Sequence, residues 1–107
     1  MADKLTIKTE DIRKGDSSYC WVNIELGGAM VGKARIKRVY RKIIIKSIVI
    51  FPEFERHGYA AQTVDLFKEM AIEIIADRVR NTARGFWERM GFEDKGDGNY
   101  RWVHDSR

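Results

Sequence analysis

The residues of this chain best suited to chemistry lie in one stretch, Ile48-Val49-Ile50-Phe51-Pro52-Glu53-Phe54-Glu55-Arg56-His57-Gly58-Tyr59-Ala60-Ala61, where an apolar run passes through a proline-containing loop into a helical pattern. At a strand-to-helix junction the first helical N–H groups have no internal partner, and small residues let an anion approach them. Gly58, Ala60 and Ala61 are small, and Arg56 and His57 could add positive charge nearby. The helix dipole contributes roughly 0.3–2 kcal/mol per anionic group in such a place. The pattern describes a phosphate cradle, although a glycine before a helix also serves simply to permit a turn. Tyr59, Tyr40, Ser47, Cys20 and His57 are the other hydroxyl, thiol or titratable groups of interest. Each has an ordinary structural account: Tyr59 as a packing residue at the helix start, Cys20 as a small buried hydrophobe, Ser47 as a filler between strands, His57 as a solvated loop residue.

The elements that must position these residues follow from hydrophobic period. Residues 5–9 alternate weakly and 11–18 are polar with Gly15, which suggests a short strand and a turn. Tyr19, Trp21, Val22 and Ile24 dominate residues 19–26, Gly27-Gly28 breaks the run, and residues 29–40 resume it, which describes a hairpin with Lys33, Arg35 and Lys37 on one face. Residues 43–51 are the most apolar in the chain and predict a central strand covered on both faces, ended by Pro52. Ala60, Val64, Phe67, Ala71 and Ile74 then fall at spacings of three and four, which predicts a helix over 58–73. Ile74-Ile75 form a short strand, and Asn81 or Thr82 caps a second helix carrying Ala83, Phe86, Trp87 and Met90 inward, with Gly91 as its left-handed C-cap. Asp97-Gly98-Asn99 marks a turn between two last short strands.

The length, 107 residues, suits one domain over residues 1–107, since so short a chain gains little from dividing its apolar surface. One cysteine excludes an internal disulfide, and with two histidines it cannot furnish a cysteine-rich zinc site, so no metal is expected. No apolar run approaches the ~20 residues that cross a bilayer, and Met-Ala-Asp-Lys lacks the apolar core of a secretory signal, so the expectation is a cytoplasmic protein without a membrane partner. The net charge of +4 is uneven: residues 27–50 carry Lys33, Arg35, Lys37, Arg38, Arg41, Lys42 and Lys46 with no acid. That stretch suits nucleic acid, a cofactor phosphate, an acidic protein or plain solvation. Only Tyr40 falls among its charges, which argues against nucleic acid, and Trp21, Trp87 and Trp102 are expected in the core.

The segment around Gly58 resembles the cofactor motif of the GNAT superfamily of acyl-CoA-dependent N-acetyltransferases, a strand and Pro-Glu followed by Arg/Gln-x-x-Gly-x-Gly/Ala, with Gly58 and Ala60 matching. Downstream, Ala83-Arg84-Gly85-Phe86-Trp87-Glu88-Arg89-Met90-Gly91-Phe92 is similar to that family's Ala-x-x-x-Tyr-x-x-x-Gly-Phe helix. The resemblance implies an α+β GNAT fold: a mixed, mostly antiparallel central sheet with about two helices, the family's early pair being absent because only residues 11–18 stand between the first strands. It also implies acetyl-CoA as cosubstrate. Ile48, Val49 and Ile50 would pair with its pantetheine amides, and Arg56, His57, Gly58, Tyr59, Ala60 and Ala61 would offer backbone N–H groups to its pyrophosphate.

Three departures bear on activity. Glu55 stands where the family has Arg or Gln, and its carboxylate would repel phosphate unless turned away or paired. Trp87 replaces a tyrosine that protonates the departing thiolate, and an indole cannot serve as that acid. Ile44 stands where some members carry a glutamate base. Tyr59, Ser47 and Trp87 remain the catalytic candidates. Direct aminolysis needs chiefly that amine and thioester be held together, so the expected activity is acetyl transfer to an amine, such as a lysine or terminus of a macromolecule, by direct attack in a ternary complex. The alternative is a catalytically inactive binding module of the same fold that contacts an acidic protein or nucleic acid. Exposed sheet edges admit a monomer or a homodimer.

Overall fold

The computed structural model describes residues 4–9 and 19–104. The turn expected over 11–18, and with it the absence of helices between the first strands, lies outside the described residues. Among the described residues seven strands form one sheet: β1 (Leu5–Thr9), β2 (Cys20–Leu26), β3 (Ala29–Val39), β4 (Lys42–Ile50), β5 (Glu73–Ala76), β6 (Glu93–Asp94) and β7 (Tyr100–Val103). Their order is β1-β2-β3-β4-β5-β7-β6, and every pair is antiparallel except β4 with β5. The described residues also form two α-helices, α1 (Tyr59–Met70) and α2 (Arg84–Arg89), each preceded by a 3₁₀ turn, at Pro52–Phe54 and Asn81–Ala83. This is the α+β architecture that the sequence led us to expect.

The local chemistry explains the connections. Gly27 and Gly28, at φ of 59° and 86°, make the two-residue turn that matches strand twist between β2 and β3. Tyr40-Arg41 make the next such turn, with Tyr40 at φ 60° and 94% exposed. β4 enters α1 through Pro52, whose fixed φ begins the 3₁₀ turn.

One face of the sheet builds the core. Val22, Ala34, Ile36, Ile43, Ile45, Ile74 and Ala76 are register partners or two residues apart, so they share that face, and all are buried. Val64 and Phe67 of α1, Trp87 of α2, Phe92 and Tyr100 pack onto it. Lys68 of α1 lies 5.3 Å from the ring of Trp102, the partner of Ile74, and donates to Met90 O at 2.5 Å beside α2. Both helices therefore cover the same face.

Four expectations need correction. β4 is buried on one face only: Ile43 and Ile45 are inside, while Lys46 is exposed and Val49 is 44% exposed on the other. An apolar run without alternation cannot reveal that one of its faces is merely half covered. α1 stops at Met70, because Ala71 adopts extended backbone to lead into β5. Neither Asn81 nor Thr82 caps α2: they lie inside the 3₁₀ turn, and Ala83 holds the cap position with no side-chain hydrogen bond. Trp21 is not in the core. It stands opposite Arg35 on the uncovered face, under Lys33.

Candidate functional site: a cleft between splayed parallel strands and a bare helix start

β4 and β5 run parallel over Lys42–Ile45 and Glu73–Ala76, and their last link is the Asp77 N–H donating to Ile45 O at 2.9 Å. Beyond it β4 stays with β3 as far as Ile50, while the chain after β5 turns away. The β4 edge from residue 46 onward thus faces a gap instead of a strand. A bulge opens the same point, since Ile36 pairs with Ile45 and Arg35 with Ser47, leaving Lys46 as the extra residue. Ligands gather at the carboxyl ends of parallel strands where neighbours part. A cleft of about 430 Å³ lies there, lined by Ile45–Val49 of β4, Asp77, Arg78 and Arg80 after β5, and Phe86 and Trp87 of α2.

The outer wall is fixed by hydrogen bonds that its backbone N–H groups donate. Arg78, at φ 51°, donates its N–H to Asn99 Oδ1 at 2.8 Å, and Val79 N–H donates to Gly98 O at 2.8 Å. The Asp97-Gly98-Asn99 turn thereby holds the loop after β5. Trp87 is buried, edge-to-face with Phe86 at 5.0 Å and Phe92 at 4.8 Å, so its packing accounts for it.

The second half of the site is the start of α1. Arg56 and Gly58 both adopt left-handed backbone, at φ 68° and 77°, which turns the chain into the helix. No side chain caps it, and the first intrahelical bond is Gln62 N–H to Gly58 O at 3.1 Å. Among the described residues none accepts from the N–H groups of Tyr59, Ala60 or Ala61. A Cβ at Gly58 would meet nothing within 4 Å, so the approach to these amides is open. A cleft of about 620 Å³ fronts them, lined by Ile48, Ile50, Glu55, Arg56, Gly58, Tyr59, Ala60, Ala61 and Arg89. Both clefts include Ile48, Ala60 and Phe86, so they adjoin. Lys46, Arg78, Arg80, Arg56 and Arg89 face them against Asp77 and Glu55, an excess of positive charge suited to a polyanion.

Most residues singled out in the sequence meet here. Ile48, Val49, Ser47 and Trp87 line the first cleft, and Ile48, Ile50, Arg56, Gly58, Tyr59 and Ala61 the second. His57 lines neither. It is exposed, with its ring stacked on Tyr59 at 5.4 Å. Tyr40 is at the β3–β4 turn and Cys20 is half-buried in β2. Asp77, Arg78 and Arg80 were not anticipated, and their signal was positional: they follow directly on the parallel strand. The described residues contain no His, Cys, Asp and Glu group able to hold a metal ion, and no helix long and apolar enough to cross a membrane.

The sequence matches the model of the acetyltransferase (GNAT) family over residues 2–92. The chain belongs to the GNAT acetyltransferase family. Solved structures share its fold. The Bacillus subtilis N-acetyltransferase YlbP, in complex with coenzyme A, superposes with a TM-score of 0.65 at 19% identity, covering 79% of this chain and 68% of that one. A GNAT acetyltransferase from Elizabethkingia anophelis with acetyl-CoA bound gives 0.64 at 10% identity, covering 94% and 98%. A second Bacillus subtilis acetyltransferase, in complex with CoA, gives 0.64 at 12%, covering 95% and 100%. Among proteins of curated function, none matches this sequence.

Proposed function

We propose that this GNAT chain is an acetyl-CoA-dependent N-acetyltransferase that passes acetyl to an amine by direct attack in a ternary complex. The observation that carries the reading is the set of three amides, at Tyr59, Ala60 and Ala61, left without an acceptor among the described residues, beside the edge of β4 that no described strand pairs. Coenzyme A has a diphosphate for the former and pantetheine amides for the latter. The GNAT neighbours with CoA or acetyl-CoA bound support it.

In this account the main chain of Ile48, Val49 and Ile50 holds the pantetheine, and the amides after Gly58 hold the diphosphate, with Arg56 and Arg89 adding charge. Acetyl-CoA supplies an activated acyl group. Asp77, the carboxylate of the first cleft, attracts the acceptor's ammonium, which loses its proton to water before attack. Nitrogen would bond to the carbonyl carbon and lose a further proton to water, the C–S bond would break, and the leaving thiolate would take a proton from solvent. Holding amine and thioester together supplies most of the rate, by many kcal/mol. Ser47 and Trp87, both at the first cleft, shape the space around the thioester, and Tyr59 packs at the helix start.

The test is to incubate the purified chain with acetyl-CoA and lysine-containing peptides, following free thiol and product mass. The reading expects thiol release coupled one-to-one to an acetylated amine. Thiol release without acetylated peptide, or neither above the uncatalysed rate, would reject it.

A further inference from the structure

The face of the sheet that the helices leave uncovered carries an ordered array of cations. Lys33, Arg35 and Lys37 occupy alternate positions of β3, opposite in direction to the buried Ala34 and Ile36. Trp21 stands across from Arg35, and Tyr19 lies immediately before β2. Lys33 Nζ lies 4.6 Å from the Trp21 ring, Arg35 Cζ lies 5.6 Å from Tyr19 and 5.8 Å from Trp21, and Lys46 Nζ lies 5.1 Å from Tyr19. These contacts hold long side chains in place, so less freedom is lost when an anion binds. Among the described residues the ion pairs are Arg84 with Asp94 and Arg101 with Glu73, so none of these four cations forms an ion pair with a described carboxylate. Lys46 also lines the first cleft, which joins the array to the place where acyl transfer is proposed.

We propose that this face docks an acidic polypeptide, and that the acceptor amine is a lysine or amino terminus flanked by carboxylates. The inference rests on the transferase reading and names its acceptor class. Cations at alternate strand positions repeat at about 6.6 Å, the spacing of carboxylates at alternate positions of an extended peptide. A free polyamine would be repelled by the basic stretch, whereas a polypeptide brings both negative charge for the array and an ammonium for Asp77. Nucleic acid fits less well. Single strands are held on such faces by bases stacking on aromatic rings, and here the rings of Trp21 and Tyr19 engage the protein's own cations. Nucleobase amines are also conjugated with their rings and attack thioesters poorly.

Fluorescence anisotropy of two labelled peptides separates the possibilities, one with a single lysine among alternating glutamates and one with glutamine at every glutamate. The acidic peptide should bind the full chain at least about tenfold more tightly at low salt, with the advantage lost at high salt and in Arg35→Glu and Lys37→Glu variants. In transfer assays it should show a lower KM at similar kcat. Both variants are checked by thermal melting, and Lys37→Glu, near the outer end of β3, serves if Arg35→Glu fails to fold. Equal binding of the two peptides, full retention of acidic-peptide binding by the folded variants, or displacement of the acidic peptide by oligothymidylate of equal charge at lower concentration would each overturn the proposal. Peptide binding is read without cofactor and acetyl-CoA binding by calorimetry without peptide, so failure of the docking face is distinct from failure of the transferase reading.

Discussion

Gly58 sits at φ 77° with open space where a Cβ would be, immediately before amides that have no acceptor among the described residues. A β-branched residue there is strained by about 1–3 kcal/mol and crowds the approach. Gly58→Val should weaken acetyl-CoA binding about tenfold or more in a calorimetric titration, and unchanged affinity would remove the helix start from the site. Glu55 makes the opposite case. It is exposed, lines the second cleft and places negative charge beside a proposed diphosphate site. Glu55→Gln should tighten acetyl-CoA binding by a few-fold at low salt, the gain shrinking as salt rises. Asp77→Asn should raise the acceptor's KM while leaving cofactor affinity in place, measured by transfer kinetics at saturating acetyl-CoA. At this scale the sequence was partly legible. The small residues at 58, 60 and 61 announce a site because backbone N–H groups exist whatever side chains they carry. Asp77, Arg78 and Arg80 were hidden, since their place depends on where β5 stops pairing with β4 and on the side chain of Asn99, twenty-one residues beyond Arg78, accepting from the Arg78 N–H.

The elements follow rules that act within a few residues, and for that reason most were visible in advance. Paired small residues at 27 and 28 produced the β2–β3 hairpin, and the spacing of Val64 and Phe67 produced the buried stripe of α1. What the chain could not display was tertiary. The bulge at Lys46 arises from the match between β3 and β4, and the one-sided burial of β4 from both helices packing together. The cap of α2 was misjudged because residues with capping side chains instead formed the preceding 3₁₀ turn. α1 carries the cleft, so its anchor can be tested. Phe67 is fully buried at its centre, and Phe67→Ala should cost about 3–5 kcal/mol in denaturant unfolding. A loss below about 1 kcal/mol would mean that α1 is not packed on the sheet as described.

On the scale of the whole molecule, one hydrophobic face and one charged face divide the sheet. The charged face was read in the sequence as a run of basic residues, but its aromatic partners lie on β2 and just before it, so their pairing emerged only from the fold. At the far end of the same face, Arg101 Nε donates to Glu73 Oε2 at 2.6 Å and ties β7 to β5. That hydrogen bond, with the charge of Lys42, holds the Glu73 carboxyl below its ordinary value against the opposing effect of desolvation. A depressed carboxyl stabilises the fold fully above its unfolded pKa, and the contribution disappears as pH falls through the folded value. Both side chains are partly exposed, so the contribution is at most about 1 kcal/mol. Glu73→Gln should therefore lower the melting temperature slightly at neutral pH and not below the carboxylate range, followed by thermal melts across pH. The central claim concerns the cofactor and is tested most directly by titrating acetyl-CoA into the purified chain in a calorimeter. The account predicts one saturable site per chain, competed by CoA and weakened by Gly58→Val; no heat at millimolar acetyl-CoA would contradict it.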